Sequence, residues 1–189
     1  NYAPYFDVPV PGDYDGDGRT DFVATIGGPL RGAPASPDIG VYWQEDDGTF
    51  GAFESLSGLT GAFAWDNSTS GDFNGDGVSD VVLTSMSGAY AMLIGSVGGG
   101  FAIVEPSELR PVMFTAEAVD INADGLDDIF ADESVIYLSD GDGTFGAGIP
   151  FSFPGGMFDR LSDMTSDGIP DALGAFSLNA FAVLPGNGD

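Results

Sequence analysis

The amino-acid sequence predicts an all-β protein built from four repeated units, and three observations lead to this prediction. Thirty glycines and 12 prolines in 189 residues divide the chain into short segments, which disfavours long helices. A stretch rich in Asp and Gly occurs four times and leads into a short apolar run. The copies recur at intervals typical of structural repeats. We therefore expect many short strands in a single repeat domain over residues 1–189.

The repeated element is a nine-residue loop, found at residues 13–21, 72–80, 120–128 and 163–171. Oxygen-bearing side chains occupy positions 1, 3, 5 and 9 of each copy, and glycine occupies position 6. Only position 3 varies appreciably, because it holds Asp15, Asn74, Asn122 and Thr165 in the four copies. The neutral hydroxyl of Thr165 makes the fourth copy the weakest candidate for binding a cation.

This spacing predicts a calcium site in each loop, about four ions in all. Calcium takes about six to eight oxygen ligands, and a tight loop turns alternate side chains toward an ion. Glycine at position 6 permits a sharp turn that a side chain would obstruct. The predicted side-chain ligands are Asp13, Asp15, Asp17, Asp21, Asp72, Asn74, Asp76, Asp80, Asp120, Asn122, Asp124, Asp128, Asp163, Thr165, Asp167 and Asp171. Position 7 adds a backbone carbonyl, from Arg19, Val78, Leu126 and Ile169.

Two other interpretations of the loop are weaker. An EF-hand needs a glutamate at position 12, which is occupied here by Ala24, Leu83, Ala131 and Gly174. Ordinary Asp/Gly turns are common in proteins, but four copies that agree at five positions argue against that explanation. Magnesium suits the loops less well than calcium, since it requires rigid octahedral geometry.

The elements after each loop follow a common order. The first predicted strands are Phe22–Thr25, Val81–Thr84 and Ile129–Ala131. A second apolar run follows at Ile39–Trp43, Tyr90–Ile94, Val135–Leu138 and Phe181–Leu184. A glycine-rich turn with phenylalanine comes next, for example at Gly141–Phe145, and a third, weaker strand leads to the next loop.

The intervals between loops match the size of β-propeller blades. The first aspartates lie at positions 13, 72, 120 and 163, so the copies are 59, 48 and 43 residues apart. We therefore expect a β-propeller of four calcium-loop blades, closed into a small ring by an N-terminal strand at Tyr2–Phe6 that completes the last blade. Donated to a neighbouring molecule instead, this strand would produce head-to-tail polymers.

The loop pattern D-x-[DN]-x-D-G-x-x-D, together with the G-D-G-T-F turn at residues 141–145, resembles the FG-GAP/VCBS repeat family, which includes integrin-α-like propellers. The resemblance covers nearly the whole chain. It implies four-stranded blades around a central axis, with calcium loops at the blade edges. Such propellers usually have more blades than the four loops found here.

Composition restricts the function. Thirty acidic residues face four basic ones, for a formal charge of -26, so the chain repels nucleic acid and anionic membranes. The sequence contains no lysine, histidine or cysteine, so catalytic bases and nucleophiles would have to be carboxylates, tyrosine or hydroxyls. No apolar run is long enough to predict membrane insertion.

We expect a secreted or surface-displayed, lectin-like or adhesion module that binds a glycan or an extracellular protein and is not an enzyme. A structural subunit of an extracellular fibre or surface layer, assembled as a homo-oligomer or filament, is the alternative. A carbohydrate-active enzyme that uses a carboxylate pair is the third hypothesis, although no spacing singles out such a pair. Asn67 begins an N-glycosylation sequon.

Overall fold

A computed structural model describes residues 9–26, 38–56, 59, 67–84, 90–104, 116–132, 134–153, 157–177 and 180–186. Every regular element within these ranges is a β-strand, which confirms the all-β prediction for this part of the chain. The same ranges contain no helix with the length and apolar character needed to span a membrane.

The strands form four antiparallel sheets in which neighbours in the chain are neighbours in space. The first sheet contains β1 (Val10–Gly12), β2 (Asp21–Ile26), β3 (Asp38–Tyr42) and β4 (Glu54–Ser55). The second contains β5 (Asn67–Gly71), β6 (Asp80–Thr84), β7 (Tyr90–Gly95) and β8 (Phe101–Val104). The third contains β9 (Ala116–Val119), β10 (Asp128–Ala131), β11 (Val135–Tyr137) and β12 (Ile149–Pro150). The fourth contains β13 (Met157–Ser162), β14 (Asp171–Ser177) and β15 (Ala180–Leu184).

Each Asp-rich loop connects the first and second strands of its sheet. The residue before the loop pairs with its ninth residue, as Gly12 pairs with Asp21 and Gly71 with Asp80. The third, weaker strand predicted after the glycine-rich turn corresponds to β4, β8 and β12, which join the sheet of the preceding loop. The sequence did not predict the further strand that lies directly before each loop, which is β1, β5, β9 or β13. The loop reverses the chain, so the strands on its two sides form a hairpin.

The second sheet lies between the first and the third. Successive side chains of a strand point to opposite faces. Val81 and Leu83 of β6 pack into a core cluster with β2 and β3, whereas Val82 packs with Ile129 and Tyr137 of the third sheet. All five residues of β6 are buried for this reason. The sheets therefore stack face to face in chain order.

The third and fourth sheets meet through aromatic rings. The ring of Phe158 on β13 lies 4.8 Å from that of Phe130 on β10 and 5.8 Å from that of Phe151. The fourth sheet has three strands in the described ranges, where the others have four. The strand predicted at Tyr2–Phe6 lies outside the described residues, so closure of a ring by this strand stays a prediction.

Candidate metal centre

The shape of the four loops depends on residues with positive φ. Glycine at position 6 has φ between 82° and 91° in all four copies. A Cβ placed on Gly18, Gly77, Gly125 or Gly168 would meet no atom beyond the adjacent residues within 4 Å, so any obstruction of the turn comes from the local backbone itself. Glycine is favoured at this position because the backbone is left-handed, a conformation that other residues adopt only with strain.

Position 4 is a second left-handed position, and the sequence pattern did not reveal it. Gly16 and Gly75 have φ of 73° and 74°, which glycine adopts readily. Ala123 and Ser166 occupy the same position with φ of 59° and 63°. Because residues with side chains appear in two copies, position 4 does not stand out as a glycine position in the sequence.

The first aspartate of each loop organises the turn. The Oδ1 atom of Asp13 accepts hydrogen bonds from the backbone N–H groups of Gly16 and Asp17 at 2.8 and 3.1 Å. Its Oδ2 atom accepts one from Gly18 at 2.8 Å. Asp72 and Asp163 accept the same three bonds. Several N–H groups therefore converge on one carboxylate, a common arrangement of Asp in turns.

The aspartate at position 9 is fully buried in every loop, and its carboxylate accepts hydrogen bonds from two separate parts of its sheet. The Oδ2 atom of Asp80 accepts a hydrogen bond from the N–H of Phe73, at the second loop position, at 3.1 Å. Its Oδ1 atom accepts one from Gly95, at the end of the third strand, at 2.9 Å. Asp21, Asp128 and Asp171 make the equivalent pairs of bonds. This structural task comes in addition to the predicted role in metal binding.

The aspartate at position 5 has a side-chain partner within its own loop in three copies. The amide nitrogens of Asn74 and Asn122 donate to Asp76 and Asp124 at 3.1 and 2.9 Å. In the first loop position 3 is acidic, and the Arg19 guanidinium forms an ion pair with Asp17 instead. These contacts reduce repulsion among the loop carboxylates.

Arg19 also connects the first loop to the turn that follows β3. Its guanidinium donates to Asp46 at 2.7 Å and to the backbone carbonyl of Gln44 at 2.8 Å. The sequence pattern assigned Arg19 only a backbone carbonyl role. The contribution of its side chain depends on a turn that lies more than twenty residues away in the chain.

The structure brings three of the predicted first-loop ligands into one group. Oxygen atoms of Asp13, Asp15 and Asp21 all lie within 4.8 Å of one another. Three carboxylates are a donor set suited to a hard divalent cation such as calcium. Asp17, predicted as a fourth side-chain ligand, is oriented toward Arg19 in this structure.

The other loops use a neutral group at position 3. Asn74 and Asn122 place an amide there, and each Oδ1 accepts the N–H of the aspartate at position 5. The fourth loop differs, because the Thr165 hydroxyl lies 3.5 Å from Asp171, at the ninth position. At position 7, the N–H groups of Arg19, Val78, Leu126 and Ile169 donate to the aspartate at position 5 at 2.8–3.0 Å.

Burial changes the acidity of these aspartates. It raises the pKa of Asp80 to about 7, although the hydrogen bonds from Gly95 and Phe73 act in the opposite direction. Burial likewise raises the pKa of Asp128. It also raises the pKa of Asp15, which is less buried. In the fourth sheet, the hydrogen bond from the Gly186 backbone lowers the pKa of Asp171. A bound cation would favour the charged form of all these groups.

Comparison with known protein families identifies the repeat. The model of the FG-GAP-like repeat matches residues 13–83 and 72–131, which together make up more than half of the chain. The two matches begin at Asp13 and Asp72, the first residues of the first two loops. No curated protein matches the sequence. The loop spacing, the repeated sheets and this match agree, and the chain belongs to the FG-GAP-like repeat family.

Proposed function

We propose that this chain is a calcium-stabilised, extracellular binding module of the propeller type that recognises a glycan or a protein and has no catalytic activity. The observation that carries the proposal is the group formed by Asp13, Asp15 and Asp21, whose oxygens lie within 4.8 Å of one another. The same type of loop occurs once in each of the other three sheets.

Calcium fits the donors that the loops offer. The predicted ligands are carboxylate, amide and hydroxyl oxygens, which hard cations prefer to nitrogen or sulphur. About four ions would be held, one in each loop, by the side chains at positions 1, 3, 5 and 9 and the carbonyl at position 7. The chain carries a formal charge of -26, so bound divalent ions would also reduce repulsion in the folded state.

An extracellular binding role is supported by family membership. FG-GAP-like repeats are typical of extracellular adhesion-type modules. Millimolar calcium outside cells suits sites built on exposed loops. The sequence contains no histidine, lysine or cysteine, which supports a role other than catalysis. Ligand recognition would use connections between strands, since a rigid scaffold commonly presents binding residues on its loops.

Removing one carboxylate from the first loop tests the metal site directly. Asp15→Asn keeps the size of the side chain but removes one negative charge from the group of three. We expect isothermal titration with calcium to show about ten-fold weaker binding at one site, because the amide that the second and third loops use at this position carries no charge. Glu45→Gln is the matched control, because Glu45 is exposed and lies outside the loops. Identical titration curves for the wild-type protein and Asp15→Asn would contradict the assignment of this loop.

Binding of a ligand is tested with labelled protein on a glycan array, in calcium and in chelator. We expect binding to a restricted set of glycans in calcium and its loss in chelator, because the loops organise the strands that carry the connecting segments. If no glycan binds, capture of extracellular proteins under the same two conditions tests the other ligand class. Equally strong ligand binding in chelator would show that ligand recognition does not depend on calcium in the loops.

A further inference from the structure

The residue at position 8 of a loop makes two hydrogen bonds to position 1 of the preceding loop. The N–H of Ser79 donates to the carbonyl of Asp13 at 2.7 Å, and the Ser79 hydroxyl oxygen accepts the N–H of Asp13 at 3.1 Å. The N–H of Asp127 donates to the carbonyl of Asp72 at 2.9 Å, and the Oδ2 atom of Asp127 accepts the N–H of Asp72 at 2.8 Å. The backbone of a predicted metal ligand is thus fixed by a residue of the next repeat.

A glycine directly before the loop leaves room for this contact. A Cβ on Gly12 would lie 2.9 Å from the Cβ of Ser79. A Cβ on Gly71 would lie 2.7 Å from the Oδ2 atom of Asp127 and 2.8 Å from its Cβ. These distances are too short for two non-bonded atoms, so a side chain in place of either glycine would displace the residue at position 8.

Asp127 belongs to the third loop in sequence, but its side chain contacts the second loop. The next residue, Asp128, turns into its own loop, where its Oδ2 atom accepts the N–H of Ile121 at 3.0 Å. Successive side chains of an extended segment point to opposite sides. Asp127 and Asp128 therefore reach two different loops, although they are adjacent in the chain.

The contact from Asp127 differs from that of Ser79 in its charge. Asp127 is half-buried, and it places a carboxylate beside Asp72, a predicted ligand of the second loop. This loop has the neutral Asn74 at position 3, where the first loop has Asp15. A charge that is partly shielded from water acts more strongly on its neighbours than one in bulk solvent. Asp127 therefore supplies negative charge from outside to a loop that has one carboxylate fewer of its own.

The third loop provides an internal comparison for the second. Both loops offer Asp, Asn, Asp and Asp at positions 1, 3, 5 and 9. After the third loop, however, position 8 of the next repeat is Pro170, which has neither a backbone N–H nor a side-chain acceptor. Val119 precedes the third loop, where Gly12 and Gly71 precede the first two. The second loop thus has a supporting carboxylate from the next repeat that the third loop lacks.

We infer that Asp127 is a positioning residue for the calcium site of the second loop, across the boundary between two repeats. It holds the backbone of Asp72 in place and adds negative charge next to this ligand. The second loop therefore binds calcium more tightly than the third, although the two loops offer the same types of ligand. The inference rests on the proposed calcium binding of the loops and concerns what sets the affinity of one of them.

Asp127→Asn tests the inference, because asparagine keeps an oxygen that can accept the N–H of Asp72 but carries no charge. Isothermal titration with calcium should show binding about three- to ten-fold weaker at one site. In chelator, the variant should melt at the same temperature as the wild type or higher, since it lacks a half-buried charge that lies among other carboxylates. A lower melting temperature in chelator together with unchanged calcium affinity would show a purely structural role and overturn the inference.

Glu45→Gln is the matched control for net charge, because Glu45 is exposed and lies outside the loops. It should bind calcium as the wild type does. A loss of affinity in this control equal to that in Asp127→Asn would mean that only the total charge matters, which would also overturn the inference.

Two further variants determine which loop Asp127 serves. Asp76→Ala removes a predicted ligand of the second loop, and Asp124→Ala removes the equivalent ligand of the third; a thermal melt confirms that each is folded. Adding Asp127→Asn should weaken calcium binding about three- to ten-fold at one remaining site in the Asp124→Ala protein. It should have little effect in the Asp76→Ala protein. The reverse pattern would assign Asp127 to its own loop and overturn the inference.

The same titrations separate this inference from the proposed function. A wild-type protein that binds no calcium would overturn both. A wild-type protein that binds calcium with the same affinities as Asp127→Asn would overturn the inference alone and leave the calcium loops in place.

Discussion

We expect the protein to melt at a markedly lower temperature in a strong chelator than in millimolar calcium. An ion that binds only the folded state adds about 2.7 kcal/mol to the free energy of unfolding when its concentration is about 100 times the Kd. In a protein of this size, each kcal/mol changes the melting temperature by about 2–4 °C. We therefore expect each emptied site to lower the melting temperature by about 5–10 °C, and several sites together to lower it further.

The decrease in melting temperature in chelator should be reversed by calcium added in excess over the chelator. Magnesium should reverse it less fully, because it fits a flexible set of oxygens poorly. Differential scanning calorimetry at constant ionic strength separates binding from general screening of the negative charge. If the melting temperature in chelator equals that in calcium, the loops are turns that hold themselves together through their own hydrogen bonds.

Replacement of Asp128 with alanine is expected to destabilise the protein even when no metal is present. The Asp128 carboxylate is fully buried and accepts the N–H groups of Ile121 and Ser139 at 3.0 and 2.8 Å. Alanine leaves both donors without an acceptor, at a cost of about 1–3 kcal/mol for each that stays buried. Burial also raises the pKa of this aspartate, and relief of that unfavourable burial offsets part of the loss. We expect a net decrease of about 2–4 kcal/mol in the free energy of unfolding.

Asp124→Ala in the same loop is the matched control. Asp124 is exposed, and solvent can replace the hydrogen bonds that it accepts from Leu126 and Asn122. In chelator, urea denaturation should show a decrease below about 1 kcal/mol for this variant. Both variants should weaken calcium binding, because both remove a predicted ligand. Equal destabilisation of the two in chelator would mean that the ninth aspartate has no structural role of its own.

Several features of the site could be predicted because they depend on residues close together in the chain. The spacing of oxygen-bearing side chains from Asp13 to Asp21 predicted a turn that collects carboxylates, and the structure groups Asp13, Asp15 and Asp21. The apolar run after each loop predicted β2, β6 and β10. Local periodicity determines which side chains a strand buries, so these elements follow from a short window of sequence.

Other features of the site could not be predicted in this way. The ion pair between Arg19 and Asp17 is local, but it is supported by Asp46, which strand pairing brings near. The need for a left-handed backbone at position 4 was hidden, because Ala123 and Ser166 adopt it despite their side chains. When residues other than glycine can adopt the left-handed conformation at some cost, the sequence does not have to carry glycine there, and no pattern reveals the position.

By itself, the sequence determined the repeat, the loop, the all-β class and the family, because each depends on the order and spacing of neighbouring residues. The tertiary structure alone decided that the strand before each loop joins the sheet after it, and that the ninth aspartate binds the N–H of a residue eleven or more positions away. It also decided that Tyr14 and Phe73 are buried between repeats while Met164 is open to solvent. These contacts join residues distant in the chain, and no local pattern specifies which of several similar repeats will pack against which.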